Sequence, residues 1–182
     1  KLLGGAIGFY GSTLNTRQYA TRGYFEKLIA QIFTGKEKFI PGNPSPIEQS
    51  STKERQSWLQ ISYMKEAYHS MSPKFTLGWM VEALYSSKNF SENYTATMMQ
   101  AGEFAPTPHS KLMYNEAFRA NQYVAAGIKP IYVLNDMFQF RTEFYGFTPI
   151  FPIKKNALNK AYYGKAFSRF EYMGEVSVIC HL

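Results

Sequence analysis

Disulfide chemistry is closed to this sequence because Cys180 is its one cysteine, and a multi-cysteine metal site is closed for the same reason. Aspartate is nearly as scarce. Asp136 stands alone among 13 acidic residues, so any carboxylate chemistry falls to glutamate. Charged residues make up only 18% of the chain, below the usual quarter. Long apolar runs are missing too: the longest charge-free stretch, Leu2 to Thr16, carries Gly4, Gly5, Gly8 and Gly11 and is shorter than the roughly 20 apolar residues of a spanning helix. His69, His109 and His181 stand far apart, with no His-x-x-x-His or Cys-His spacing, and there is no glycine-rich phosphate loop. No metal and no cofactor are therefore expected.

What is present is apolar and aromatic. Of 182 residues, 45% are hydrophobic and 17% are Phe, Tyr or Trp, which excludes a disordered chain and suits one domain over 1–182. The formal charge is +7. Lys36, Lys38, Lys53, Arg55, Lys154, Lys155 and Lys160 read as scattered through predicted loops rather than gathered in a stripe. Attraction to anionic lipid headgroups accounts for them, and no nucleic-acid partner is expected. Lys1-Leu2-Leu3-Gly4-Gly5 is no signal peptide, and the chain stops inside the apolar run Val176 to Leu182, so truncation at both ends is expected.

Alternation with period two dominates the chain. From Phe75 to Tyr85 the odd positions Phe75, Leu77, Trp79, Val81, Ala83 and Tyr85 are all apolar or aromatic, which predicts a strand. Met137 to Phe147 repeats the pattern, with Phe138, Phe140 and Phe144 opposite Gln139, Arg141 and Glu143. Ala166 to Leu182 places Phe170, Tyr172, Val176 and Val178 opposite Arg169, Glu171 and Glu175. Val124–Leu134, Ser57–Ala67 and Leu3–Phe9 add three more, about six strands in all. Over 24–34 the sequence gives two readings. Phe25, Leu28, Ile29, Ile32 and Phe33 fall at helical spacing, and a strand continuing the first hairpin competes with a short loop helix.

The strands run to about ten residues, long for a soluble sheet. Tight turns near 69–74 and 135–136 alternate with long polar connections, notably 35–56 and the loop 86–121. Alternation alone admits two fates for the apolar face: packing inward in a soluble sandwich, or facing lipid around a wet lumen. Strand length, aromatics on the outward faces (Phe75, Trp79, Tyr85, Phe138, Phe140, Phe170, Tyr172) and charges of both signs on the other face favour the second. The expected fold is all-β, an antiparallel up-and-down transmembrane β-barrel, partial because eight strands is the bacterial minimum. A soluble β-barrel or sandwich binding a hydrophobic ligand is the alternative.

Three segments carry a resemblance: Phe90-Ser91-Glu92-Asn93-Tyr94-Thr95-Ala96-Thr97, Phe104-Ala105-Pro106-Thr107-Pro108-His109-Ser110-Lys111, and Phe118-Arg119-Ala120-Asn121-Gln122-Tyr123 running on to Pro130. With Tyr162-Tyr163-Gly164-Lys165 and Phe170-Glu171-Tyr172-Met173-Gly174-Glu175, they are similar to the C-terminal half of patatin-like phospholipases of Bacteroidetes. In that family a patatin lipase precedes a surface-antigen, Omp85-like barrel. The resemblance implies an outer-membrane location, lipid and lipopolysaccharide around the barrel, and a fused patatin domain that the barrel anchors and helps translocate. Homo-oligomers or a larger outer-membrane complex are further partners it allows.

No catalytic residue is expected within the segment, since the Gly-x-Ser-x-Gly elbow of such hydrolases is missing and Asp136 is followed by Met137. The resemblance also implies an arginine that locks a long loop into the lumen. Arg119 is the positional candidate, with Glu143 and Glu171 as carboxylate partners. Arg22-Gly23 within Thr21-Arg22-Gly23-Tyr24 is the alternative loop motif.

Overall fold

The computed structural model describes residues 2–39, 52–135 and 137–180. Four strands open the chain: β1 (Leu2–Ser12), β2 (Gly23–Phe39), β3 (Thr52–Ser72) and β4 (Phe75–Ser86). An excursion follows that holds the helix α1 (Tyr94–Gln100) and a small ladder between β5 (Gly102–Glu103) and β6 (Arg119–Ala120). Then come β7 (Gln122–Val133), β8 (Phe138–Pro149), a hairpin of β9 (Ile153–Lys155) and β10 (Ala161–Tyr163), and finally β11 (Glu171–Cys180).

Seven of these strands form one sheet in the order β1-β2-β3-β4-β7-β8-β11, each antiparallel to its neighbours. Every sheet strand lies beside the one before it, so the meander is up-and-down. The sheet does not close on itself: among the described residues, β1 and β11 each keep one edge free of strand pairing. With seven antiparallel strands, those two edges run parallel to each other.

Residues 24–34 are strand, within β2. Their helical spacing arises because β2 is apolar on both pleats. Phe25, Ile29 and Phe33 share a pleat with Trp58, and Leu28 and Ile32 share the other with Leu59 and Tyr63. Ladders with β1 and β3 on both sides decide the conformation, and the β-branched residues suit it. The predicted strand over 166–182 begins later, at Glu171, so Phe170 precedes β11 rather than lying in it. Asp136 and His181 lie outside the described residues.

Pleating gives the sheet two unlike faces. On the inward face Thr76, Gly78, Met80, Leu84 and Ser86 of β4 are buried, as are Tyr123, Ala125, Lys129 and Ile131 of β7 and Gln139, Arg141, Tyr145 and Phe147 of β8. Connections folding over that face bury them. From the end with the long loops, Phe104, Phe118 and Ala120 of the excursion pack on Met80, Leu84, Tyr123, Tyr145 and Phe147. Phe104 stacks on Phe147 with centroids 5.8 Å apart. Burying a ring of this size contributes about 1.5–3 kcal/mol. From the other end, the β1–β2 connection inserts Ala20 against Tyr68 and Ile131.

Candidate functional site

The interior of the sheet concentrates the ionisable groups. Lys129 of β7 and Glu66 of β3 meet with Nζ and Oε2 2.8 Å apart, and the Tyr68 hydroxyl donates to the same carboxylate at 3.2 Å. Arg141 of β8 has a side chain only 2% exposed. It donates from Nε to Glu143 at 3.2 Å and from a terminal nitrogen to the carbonyl of Ala20 at 3.1 Å, between the rings of Tyr19 and Tyr68. Tyr145 donates to the other oxygen of Glu143. Two cations and two carboxylates thus balance, which a buried charge requires because an unpaired one is far too costly to desolvate. Higher in the interior, Tyr123 donates to Glu82 at 2.5 Å.

Two tyrosines enter this network because a glycine lies across the ladder from each. Tyr68 pairs with Gly78 and Tyr145 with Gly127. A Cβ added to Gly78 would sit 2.7 Å from the Tyr68 ring, and one added to Gly127 would sit 2.2 Å from the Tyr145 ring. With no side chain in the way, each ring lies down over its neighbour and points its hydroxyl at a carboxylate.

Arg119 meets partners other than Glu143 and Glu171. The β5–β6 ladder sets it opposite Glu103, whose carboxylate accepts from it at 2.6 Å. Its other terminal nitrogen donates to the carbonyls of Met99 at 3.2 Å and Ala101 at 3.3 Å, capping the carboxyl end of α1 with positive charge, and Tyr114 lies 4.8 Å from the guanidinium. Glu143 belongs to Arg141, and Glu171 pairs with Arg169 at 3.2 Å. Arg119 therefore fastens the long loop to itself and to α1. Nearby, Tyr94 donates to Glu116; burial first, then that hydrogen bond, pushes its phenol up to about 12. Burial lowers Lys88, whose ammonium lies 4.7 Å from the Trp58 ring.

Arg22 and Gly23 close the β1–β2 connection. Gly23 has φ +89°, and a Cβ there would fall 2.2 Å from the Thr13 carbonyl oxygen, so the position demands glycine. The Arg22 backbone N–H donates to Asn15 Oδ1 at 3.1 Å. Tyr19, in the same connection, holds a φ of 56°, the left-handed region that costs a non-glycine residue energy. This loop is the one Arg141 holds in the interior. Sequence reasoning missed Arg141 as a loop-holding residue; its place on a polar strand face among Gln139 and Glu143 was the signal.

The outward face is apolar. Phe75, Tyr85, Phe138 and Phe140 are exposed and Trp79 is half-buried, while Phe170 is 67% and Tyr172 82% exposed. Over β4, β7, β8 and β11 this face carries no Asp, Glu, Lys, Arg or His. Charge reaches this face on β2 and β3: Glu26 and Lys65, opposite each other, pair at 3.5 Å, and the Tyr63 hydroxyl donates to Glu26 at 2.7 Å, while Lys36, Lys38, Lys53 and Arg55 stand toward the long-loop end and His69 toward the other.

Among the described residues, no group of three or more His, Cys, Asp or Glu could hold a metal ion, and no helix is long and apolar enough to cross a membrane. No family model matches the chain, and neither a curated protein nor a solved structure matches it. The class the coordinates define is a predominantly antiparallel β protein built on one up-and-down sheet of seven strands.

Proposed function

We propose that this chain is a segment of an outer-membrane β-barrel, set in the bilayer through its outward face. The observation that carries the reading is the inverted sheet: large apolar side chains stand exposed outside, while Glu66, Lys129, Arg141 and Glu143 pair inside. In water that distribution leaves a broad apolar surface uncovered. In lipid it is the expected one, with apolar residues facing acyl chains and ionisable groups lining the interior. Seven antiparallel strands have edges of the same direction, so closure requires an odd number of further strands between β11 and β1. The resemblance to patatin-like phospholipases supplies the rest of the reading: the barrel anchors, and helps carry across the membrane, an N-terminal acyl-ester hydrolase domain. The segment itself performs no chemistry in this reading.

The two tryptophans test it. Trp79 is on the outward pleat, and Trp58 is on the inward one, stacked on Phe33 at 5.0 Å. In vesicles of lipids brominated along the acyl chain, a Trp58→Phe variant, reporting Trp79 alone, is expected to lose most of its fluorescence. A Trp79→Phe variant, reporting Trp58, is expected to keep most of it. Equal quenching of the two, or a protein that stays in buffer without detergent and is not quenched at all, would favour the soluble ligand-binding sheet.

A further inference from the structure

Strand register gathers four cations that the sequence separates by a long connection. β2 carries Lys36-Glu37-Lys38 and β3 carries Lys53-Glu54-Arg55, and pairing sets Lys36 opposite Arg55 and Lys38 opposite Lys53. The pleat then sets Glu37 apart from the cations. Gln56 Nε2 donates to Glu37 at 3.0 Å on the inward face, which leaves all four cations on the outward one. Each is exposed. Among the described residues, none has a carboxylate partner. The reading of these residues as scattered through loops is thereby corrected: they form one patch on regular strand.

Such an arrangement calls for an anion. Like charges directly opposite each other in a ladder destabilise it, and here two such pairs follow one another. Side chains of one face repeat about every 7 Å along a strand, and paired positions are about 5 Å apart. The rectangle suits a headgroup with more than one phosphate. Thr34 and Ser57, the next pair on the same face, bring hydroxyls 2.8 Å apart to its edge.

Position selects the source of that anion. On the same pleat, four residues toward the sheet centre, are Ile32 and Leu59, both exposed and apolar. Four residues span about 13 Å of strand, or about 9 Å of height at a barrel tilt near 45°. The headgroup layer begins at the edge of the hydrocarbon and is about 5–8 Å thick on each side. The Lys36–Arg55 pair therefore sits at its outer margin, with Lys38 and Lys53 about 5 Å above it, at the end of the sheet carrying the long loops, which in bacterial barrels is the extracellular end.

We infer that Lys36, Lys38, Lys53 and Arg55 bind the phosphates of a multiply phosphorylated lipid headgroup in the outer leaflet. This rests on the membrane reading above. The complete barrel that contains this segment, reconstituted in phosphatidylcholine vesicles, is titrated with a bis-phosphorylated glucosamine lipid, with its dephosphorylated counterpart, and with a soluble bis-phosphorylated sugar lacking acyl chains. Only the phosphorylated lipid is expected to bind tightly, with an affinity that falls as salt rises. Each cation near an anionic surface is worth on the order of fivefold, so Lys36→Gln alone weakens binding by about that factor. The fourfold Lys36→Gln, Lys38→Gln, Lys53→Gln, Arg55→Gln variant is expected to weaken it more than a hundredfold. The triple variant Lys154→Gln, Lys155→Gln, Lys160→Gln changes affinity less than twofold.

Indifference to phosphorylation, or equal loss in the two multiple variants, overturns the site. Equal binding of the soluble sugar overturns the lipid as its source. If the protein inserts into neutral vesicles while either of the first two results is obtained, the patch is wrong and the membrane reading stands. Failure to insert into any vesicle removes both.

Discussion

Glycine decides the geometry of single side chains in this sheet more than any polar residue does. Tyr145 reaches Glu143 only because Gly127 offers it a bare stretch of backbone, and Tyr68 uses Gly78 in the same way. Gly127→Val is therefore expected to lift the Tyr145 ring, break its hydrogen bond to Glu143 and cost about 1–3 kcal/mol of stability, read as a lower urea midpoint for the refolded protein. The same substitution at Gly5, where a Cβ meets nothing within 4 Å, serves as the control. Neither glycine's role was legible in the sequence, because it depends on which residue lies across the ladder. For the same reason the sequence pointed Arg119 at Glu143 and Glu171. Its partner Glu103 comes from the same connection, and only the short β5–β6 ladder puts the two side by side.

At the scale of elements, most strands were legible and their limits less so. The alternation from Phe75 to Tyr85 maps directly onto β4, and that from Met137 to Phe147 onto β8. β2 was legible only as one of two competing readings, since a segment apolar on both pleats loses the period of two that marks a strand facing two media. The excursion over 87–121 reads as loop in sequence, yet it contributes Phe104 and Phe118 to the core and contains α1. Arg119 is its fastening, through Glu103 and the last carbonyls of α1. Arg119→Ala is expected to expose residues 99–118 to limited proteolysis several-fold faster while the far-ultraviolet spectrum of the sheet is unchanged. Proteolysis at the original rate would mean that the apolar contacts of Phe104 and Phe118 suffice to hold the loop.

The whole molecule turns on which side of the sheet meets which medium. The Glu26–Lys65 pair offers a test of that question independent of fluorescence. It stands on the outward pleat, with Lys65 opposite Val81 near the middle of β4. An exposed ion pair in water contributes little, so in a soluble sheet Lys65→Met is close to neutral. In hydrocarbon the same change strands Glu26 without its cation and is expected to destabilise the folded protein clearly, with Glu26→Leu on the same chain restoring the loss. Urea titrations of the single and double variants in vesicles separate the two cases. Near-equal midpoints for the wild type and Lys65→Met would count against hydrocarbon at this face.

By itself, the sequence determined that the chain is predominantly antiparallel β and two-faced, because a period of two is a local property that each strand carries in its own residues. It also located the outward aromatics, Phe75, Trp79, Phe138, Phe140 and Tyr172, which the pleat sends to one side. Only the tertiary structure decided which cation meets which carboxylate, which glycine accommodates which tyrosine, and that Lys36, Lys38, Lys53 and Arg55 form a single patch. Those outcomes depend on register between strands distant in sequence, and a shift of one residue would exchange every inward side chain for an outward one.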